Sequence, residues 1–175
     1  MTTATPQQTE TVQIYRIYIR ATPEAIWEAM TKPEWTVKYG YAPLLEYEMR
    51  AGGAFRAHAN EGMLALGCPE IISDGEVIEA DPPRRLVQTW RMTMTPELAA
   101  EAFTRLTVEI EPARAGVSKV TVTHDLSGAP LWGALCRGEG EATGAGGGWS
   151  EILSGLKTLL ETGEPLAFQS GPANA

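Results

Sequence analysis

An α+β fold, with a strongly curved and mainly antiparallel sheet closed by one long helix, is what this sequence predicts. Three observations point to it. Strand-like segments dominate the chain. Hairpin-length connections join most of them, and connections that short cannot make parallel pairs. The clearest helical periodicity falls at the C-terminal end. A sheet alone would leave one apolar face in water, so the closing helix has to cover it.

The 175 residues have room for one domain with a real core. Residues 1–11 are polar and read as a disordered tail, 12–165 as a single domain, and 166–175 as a frayed end. Val12 to Arg20, rich in β-branched and aromatic residues, suits a first strand. Thr22-Pro23 then opens a helix, with Thr as cap and Pro at the first position, where no N–H is needed. Thr31-Lys32-Pro33-Glu34 has the spacing of a capping box, so a second short helix is expected before the second strand.

Leu44–Met49 and Ala54–Asn60 are the second and third strands, turning at Gly52-Gly53. Glu61 to Pro69 reads as a loop. Ile71–Ala80 and Leu86–Met94 are the fourth and fifth strands, turning at Asp81-Pro82-Pro83-Arg84, where the prolines cannot donate to a ladder. Arg84-Arg85 in that turn, with Asp81, reads as a solvated pair. Pro96–Ala102 is a short linker, and Phe103–Glu111 and Val117–Leu126 are the sixth and seventh strands. Ser127 to Gly148 is rich in Gly and Ala and holds little periodicity. Trp149, Ile152, Leu153, Leu156, Leu159 and Leu160 then recur as one helical stripe, which Gly163 and Pro165 end.

Composition narrows the function. Apolar residues make up 43% and charged residues 21%, as in ordinary globular chains. The net charge of −8, without a basic run, argues against nucleic acid and anionic lipid as partners. No apolar run reaches the ~18–20 residues of a membrane span, and the N-terminus lacks the features of a signal peptide, so a cytoplasmic protein is expected. Cys68 and Cys136 match no metal spacing and are expected as free thiols. The Gly-rich run before Trp149 lacks the Gly-Lys-Ser/Thr ending of a phosphate loop. No cofactor and no metal are therefore expected.

Several stretches carry a family resemblance. They are ATPEAIWEAMTKPEW from Ala21 to Trp35, GGAFRA from Gly52 to Ala57, and GEVIEADPPRRLVQTW from Gly75 to Trp90. VTVTHDLSG from Val120 to Gly128 and GGWSEILSGLKTLLETG from Gly147 to Gly163 complete the set. The most specific is Pro-Pro-Arg-Arg-Leu with a Trp four residues later. Together they resemble the START-like (SRPBCC) superfamily, and within it the homologues of the heat shock protein 90 ATPase activator. The resemblance implies a helix-grip fold, with seven antiparallel strands around the C-terminal helix and two short helices after the first strand. It also implies a cavity for an apolar molecule between sheet and helix. The sequence departs from the pattern between Gly128 and Trp149, where a Gly/Ala-rich stretch carries Trp132 and Cys136.

Alternation suggests which residues face that interior. Leu86, Gln88, Trp90, Met92 and Met94 share a face of the fifth strand, and Val120, Val122, His124 and Leu126 share one of the seventh. The expected ligand-binding set is Phe55, Trp90, Met92, His124, Trp149, Leu153 and Leu156, with no catalytic residue. Two readings stand for each of them, pocket lining or plain core. His124 is the most informative, as a polar residue on an apolar face that either orients a ligand, acts as a base, or is hydrogen-bonded in the core. His58, in a row with Arg56 and Asn60, faces solvent or a hydrophilic end of the cavity. The leading expectation is a module binding a small apolar molecule. The alternatives are a polyketide cyclase or aromatase using His124 or Arg56, and a co-chaperone or stress-response interaction domain. Pairing into a homodimer stays open.

Overall fold

The computed structural model describes residues 11–40, 44–140 and 148–166. The expected tail and frayed end fall almost wholly outside them, as does most of the Gly-rich run at 144–148. In chain order the described elements are β1 (Val12–Ile19), α1 (Pro23–Thr31), α2 (Pro33–Thr36), β2 (Leu45–Tyr47) and β3 (Ala54–His58). Then come α3 (Glu61–Ala65), β4 (Ile71–Asp81), β5 (Arg85–Met92) and α4 (Pro96–Ala99). The chain closes with β6 (Thr104–Arg114), β7 (Val117–Asp125), α5 (Pro130–Cys136) and α6 (Gly148–Thr162).

The strands form one seven-stranded antiparallel sheet in the order β1-β7-β6-β5-β4-β3-β2. Its two edges, β1 and β2, are consecutive in sequence, so the chain has to cross the whole sheet between them. Helices α1 and α2 make that crossing, and α1 packs against both β6 and α6. Register shifts at Ala57/His58, Val77/Glu79 and Pro112/Arg114 bend the sheet, because an extra residue on one strand increases local twist. Gly75 lets β4 and β5 approach closely, since a Cβ there would lie 2.0 Å from the Thr89 carbonyl oxygen.

The main core lies between the concave face and the helices. Leu86, Leu106, Val108, Ile110, Val120 and Val122 meet Ile26 and Ala29 of α1 and Leu153, Leu156 and Leu159 of α6, all at 4% exposure or less. The expected stripe of α6 is therefore the face that is buried, and the helix ends before Gly163, at φ +81°. Polar contacts fasten α6 to the edge strand. Lys157 Nζ donates to the Tyr18 carbonyl at 2.7 Å, and Glu161 Oε1 accepts from the Arg20 N–H at 2.8 Å.

Four local expectations need correction. Thr31 does not open α2; it ends α1, and its hydroxyl donates to the Trp27 carbonyl four residues back at 2.7 Å. Residues Glu61 to Ala65 are a helical turn, capped by Asn60 Oδ1 accepting from the Met63 N–H at 2.8 Å. The linker at Pro96 is likewise helical, with Thr95 Oγ1 accepting from the Leu98 N–H at 3.3 Å. Within the aperiodic stretch lies α5, whose first turn is capped from far away in sequence. Glu101 accepts from the Leu131 N–H at 2.7 Å and the Trp132 N–H at 3.0 Å. The Arg84–Asp81 pair is exposed at 2.8 Å, as expected, and such pairs contribute about 0–1 kcal/mol, whereas Arg85 begins β5 and is half-buried against Glu109 at 2.6 Å.

Candidate functional site

Strand pairing brings the inward residues of β5, β6 and β7 into rows. Gln88 lies opposite Leu106, which lies opposite His124; in the next row Trp90 lies opposite Thr104. Trp149 reaches this face from the first turn of α6, and Trp132 from α5. The Trp90 ring stacks on Trp132 with centroids 4.7 Å apart and meets the edge of His124 at 5.7 Å.

His124 is 1% exposed and both of its ring nitrogens are engaged. The Thr104 hydroxyl spends its only proton on the Trp90 carbonyl at 2.7 Å, so at 2.8 Å it accepts from His124 Nε2. The Trp149 indole can only donate, so His124 Nδ1 accepts from it at 3.3 Å. These partners assign a neutral imidazole with its proton on Nε2. Burial pushes its pKa down to about 4, and the nearby Asp125 charge opposes that only partly. A second proton would set an N–H against the indole N–H. The one lone pair that base catalysis would need is already taken.

Other expected site residues are spread over two clusters. Leu153 and Leu156 belong to the main core, at 1% and 0% exposure. Phe55 anchors a second, smaller cluster with Ala57 and Ile72, and its ring lies 4.8 Å from that of Tyr47. Met92 is half-buried opposite Ser73. Among the described residues only Tyr47 and Trp90 pack against both clusters, so the two meet there. Arg56 is exposed, while His58 is half-buried with Nε2 3.2 Å from Glu46, the residue paired with Arg56.

Sequence reasoning missed the groups that matter most beside this junction. Gln88 is 1% exposed, and neither its Nε2 nor its Oε1 has a hydrogen-bond partner among the described residues. Burial pushes the Tyr47 hydroxyl up, and the Gln88 amide is near enough to oppose that push without completing a bond to it. Ser73 Oγ and Trp132 Nε1 are also buried and unpartnered. Gln88 gave the same signal as His124, a polar residue in an apolar row. Trp132 had no periodic context to place it.

The described residues hold no cluster of three or more metal-ligating side chains. Cys68 and Cys136 are free. Burial pushes the Cys136 thiol up to about 12, which removes the thiolate needed for nucleophilic chemistry. No described helix is long and apolar enough to cross a membrane.

Comparison with solved structures bears out the helix-grip fold. CalU16 from Micromonospora echinospora superposes with a TM-score of 0.61 at 18% identity, over 89% of this chain and 76% of that one. The Aha1 dimer from Colwellia psychrerythraea gives 0.61 at 20% identity, over 87% and 97%. PFC0360w, an HSP90 activator from Plasmodium falciparum, gives 0.59 at 19% identity, over 86% and 96%. At these identities the likeness is one of fold. No curated protein matches the chain in sequence. The model of the family described as activator of Hsp90 ATPase homolog 1-like protein matches residues 20–161, and the chain belongs to that family.

Proposed function

We propose that this chain is a binding module that holds a small, largely apolar molecule between the inner face of the sheet and α6, without acting on it chemically. One observation carries the reading: the polar groups of Gln88, Ser73 and Trp132 are buried without partners near the residues where the two apolar clusters meet. An unpaired buried polar group costs about 1–3 kcal/mol, so a core serving packing alone is better filled by apolar side chains. In this reading Phe55, Trp90, Met92 and Trp149 face the molecule, and Leu153 and Leu156 form the floor. His124 holds the Trp149 indole in place and makes no contact of its own.

The absence of chemistry is supported by the occupied lone pair of His124, the protonated Cys136 and the exposure of Arg56. Native mass spectrometry of protein purified from its own host is expected to find a bound small organic molecule that is released on unfolding. Protein that carries none, and takes up none of a neutral apolar probe such as 2-ethylnaphthalene, would sink the idea. The family's description supports a second reading, a domain acting on a chaperone ATPase. It requires a change in the ATPase rate of the host's Hsp90 on adding the protein, and an unchanged rate dismisses it.

A further inference from the structure

We infer that the molecule held beside Trp90 is electrically neutral and carries a carboxamide-like edge, an acceptor beside a donor, which Gln88 reads. This rests on the reading that the interior takes a small molecule. Gln88 lies on the inner face of β5, two residues before Trp90, paired across to Val77 on one side and Leu106 on the other. Both strand neighbours are apolar and buried, so neither can serve the amide, and the Tyr47 hydroxyl lies near it without completing a bond.

A primary carboxamide presents an acceptor oxygen and an N–H donor side by side in one plane. With both Nε2 and Oε1 unpartnered, the group that satisfies them together must offer an acceptor and a donor at the same spacing. Amides, lactams and cyclic imides do so. An ether, ester or ketone offers acceptors only, and would leave Oε1 unpaired.

Neutrality follows from the surroundings. The fully buried polar side chains among the described residues are hydroxyls, the Gln88 amide and the neutral His124, and the partly buried His58 and Trp132 add one buried ring nitrogen each. A carboxylate, phosphate or ammonium entering there would meet no buried countercharge, and isolated buried charges are strongly disfavoured. Ser73, opposite Met92, and Trp132, stacked on Trp90, supply one hydroxyl and one indole N–H for a second polar substituent.

The test is tryptophan-fluorescence titration of the full chain with two probes of one ring size, 2-naphthamide and 2-ethylnaphthalene. The wild type is expected to bind the amide tighter by about tenfold or more, the scale of a buried hydrogen-bonding group left unserved. Gln88→Leu should lower amide affinity to that of the hydrocarbon and leave the hydrocarbon's own affinity unchanged. If that variant does not fold, Gln88→Met serves, since it keeps the chain length without the amide. Equal binding of both probes by the wild type, or a preference that survives in the variant, overturns the inference while leaving a binding module standing. Binding of neither overturns both.

Discussion

The buried polar groups around Trp90 fall into two sets with opposite habits. Toward β7 and α6, Thr104, His124 and Trp149 form a chain in which the hydroxyl, both imidazole nitrogens and the indole nitrogen are all paired. Toward β2 and β4, Gln88 and Ser73 are as deeply buried and have no partner. Apolar residues on the same inner face surround both sets. The first is complete within the fold and repays its burial through its own hydrogen bonds. The second has no completed hydrogen bond among the described residues, although the Tyr47 hydroxyl lies near Gln88.

The sharpest way to break that contrast is His124→Ala. It leaves a cavity and orphans the Trp149 indole, and should destabilise the protein by about 3–5 kcal/mol in urea unfolding. A loss under about 1 kcal/mol would mean the paired set is incidental. Acid should work on the same residue. The folded pKa of His124 is about 4 against an ordinary 6.5, so the unfolded chain takes up the proton first. Its contribution is full above about pH 6.5 and is lost as pH falls towards 4, by on the order of 3 kcal/mol. The urea midpoint, followed between pH 7 and pH 4, should fall less steeply in His124→Gln than in the wild type.

Glu101→Ala removes the acceptor for the first two N–H groups of α5 inside that helix and should cost about 1 kcal/mol. Tryptophan emission should report it, since α5 holds Trp132 against Trp90. Ser73→Ala is the smallest change and the most pointed. Deleting an unpartnered hydroxyl should leave stability unchanged or raise it by up to about 1 kcal/mol. A loss of 2 kcal/mol would show that Ser73 belongs with the paired set.

Much of the fold was legible because its signals are local. Thr22-Pro23-Glu24 announced α1 through a cap and a fixed φ, and the 149–160 stripe announced α6. The same Thr-Pro-Glu pattern recurs at Thr95-Pro96-Glu97 and starts α4, but only one turn follows, too short for any periodicity to confirm it. At Thr31 the capping spacing misled, because the hydroxyl found a carbonyl in the helix already running. No local pattern marks the start of α5 beyond Pro130, since its cap comes from Glu101. In the site, alternation placed Trp90 and His124 on one interior. It said nothing about partners, which depend on three strands and two helices converging, so the contrast between His124 and Gln88 was invisible in the sequence.

Glu101, just before β6, and Thr104, its first residue, sit three residues apart. One fastens α5, and with it Trp132; the other fixes the imidazole that positions Trp149. Four consecutive residues leading into β6 therefore hold two tryptophans that arrive from opposite ends of the stretch between β7 and α6. Helix α5, Trp149 and residues 101–104 thus depend on one another. Transplanting residues 129–149 into a relative without Glu101 and Thr104 would deliver a helix with an unserved first turn and an indole with nothing to anchor it.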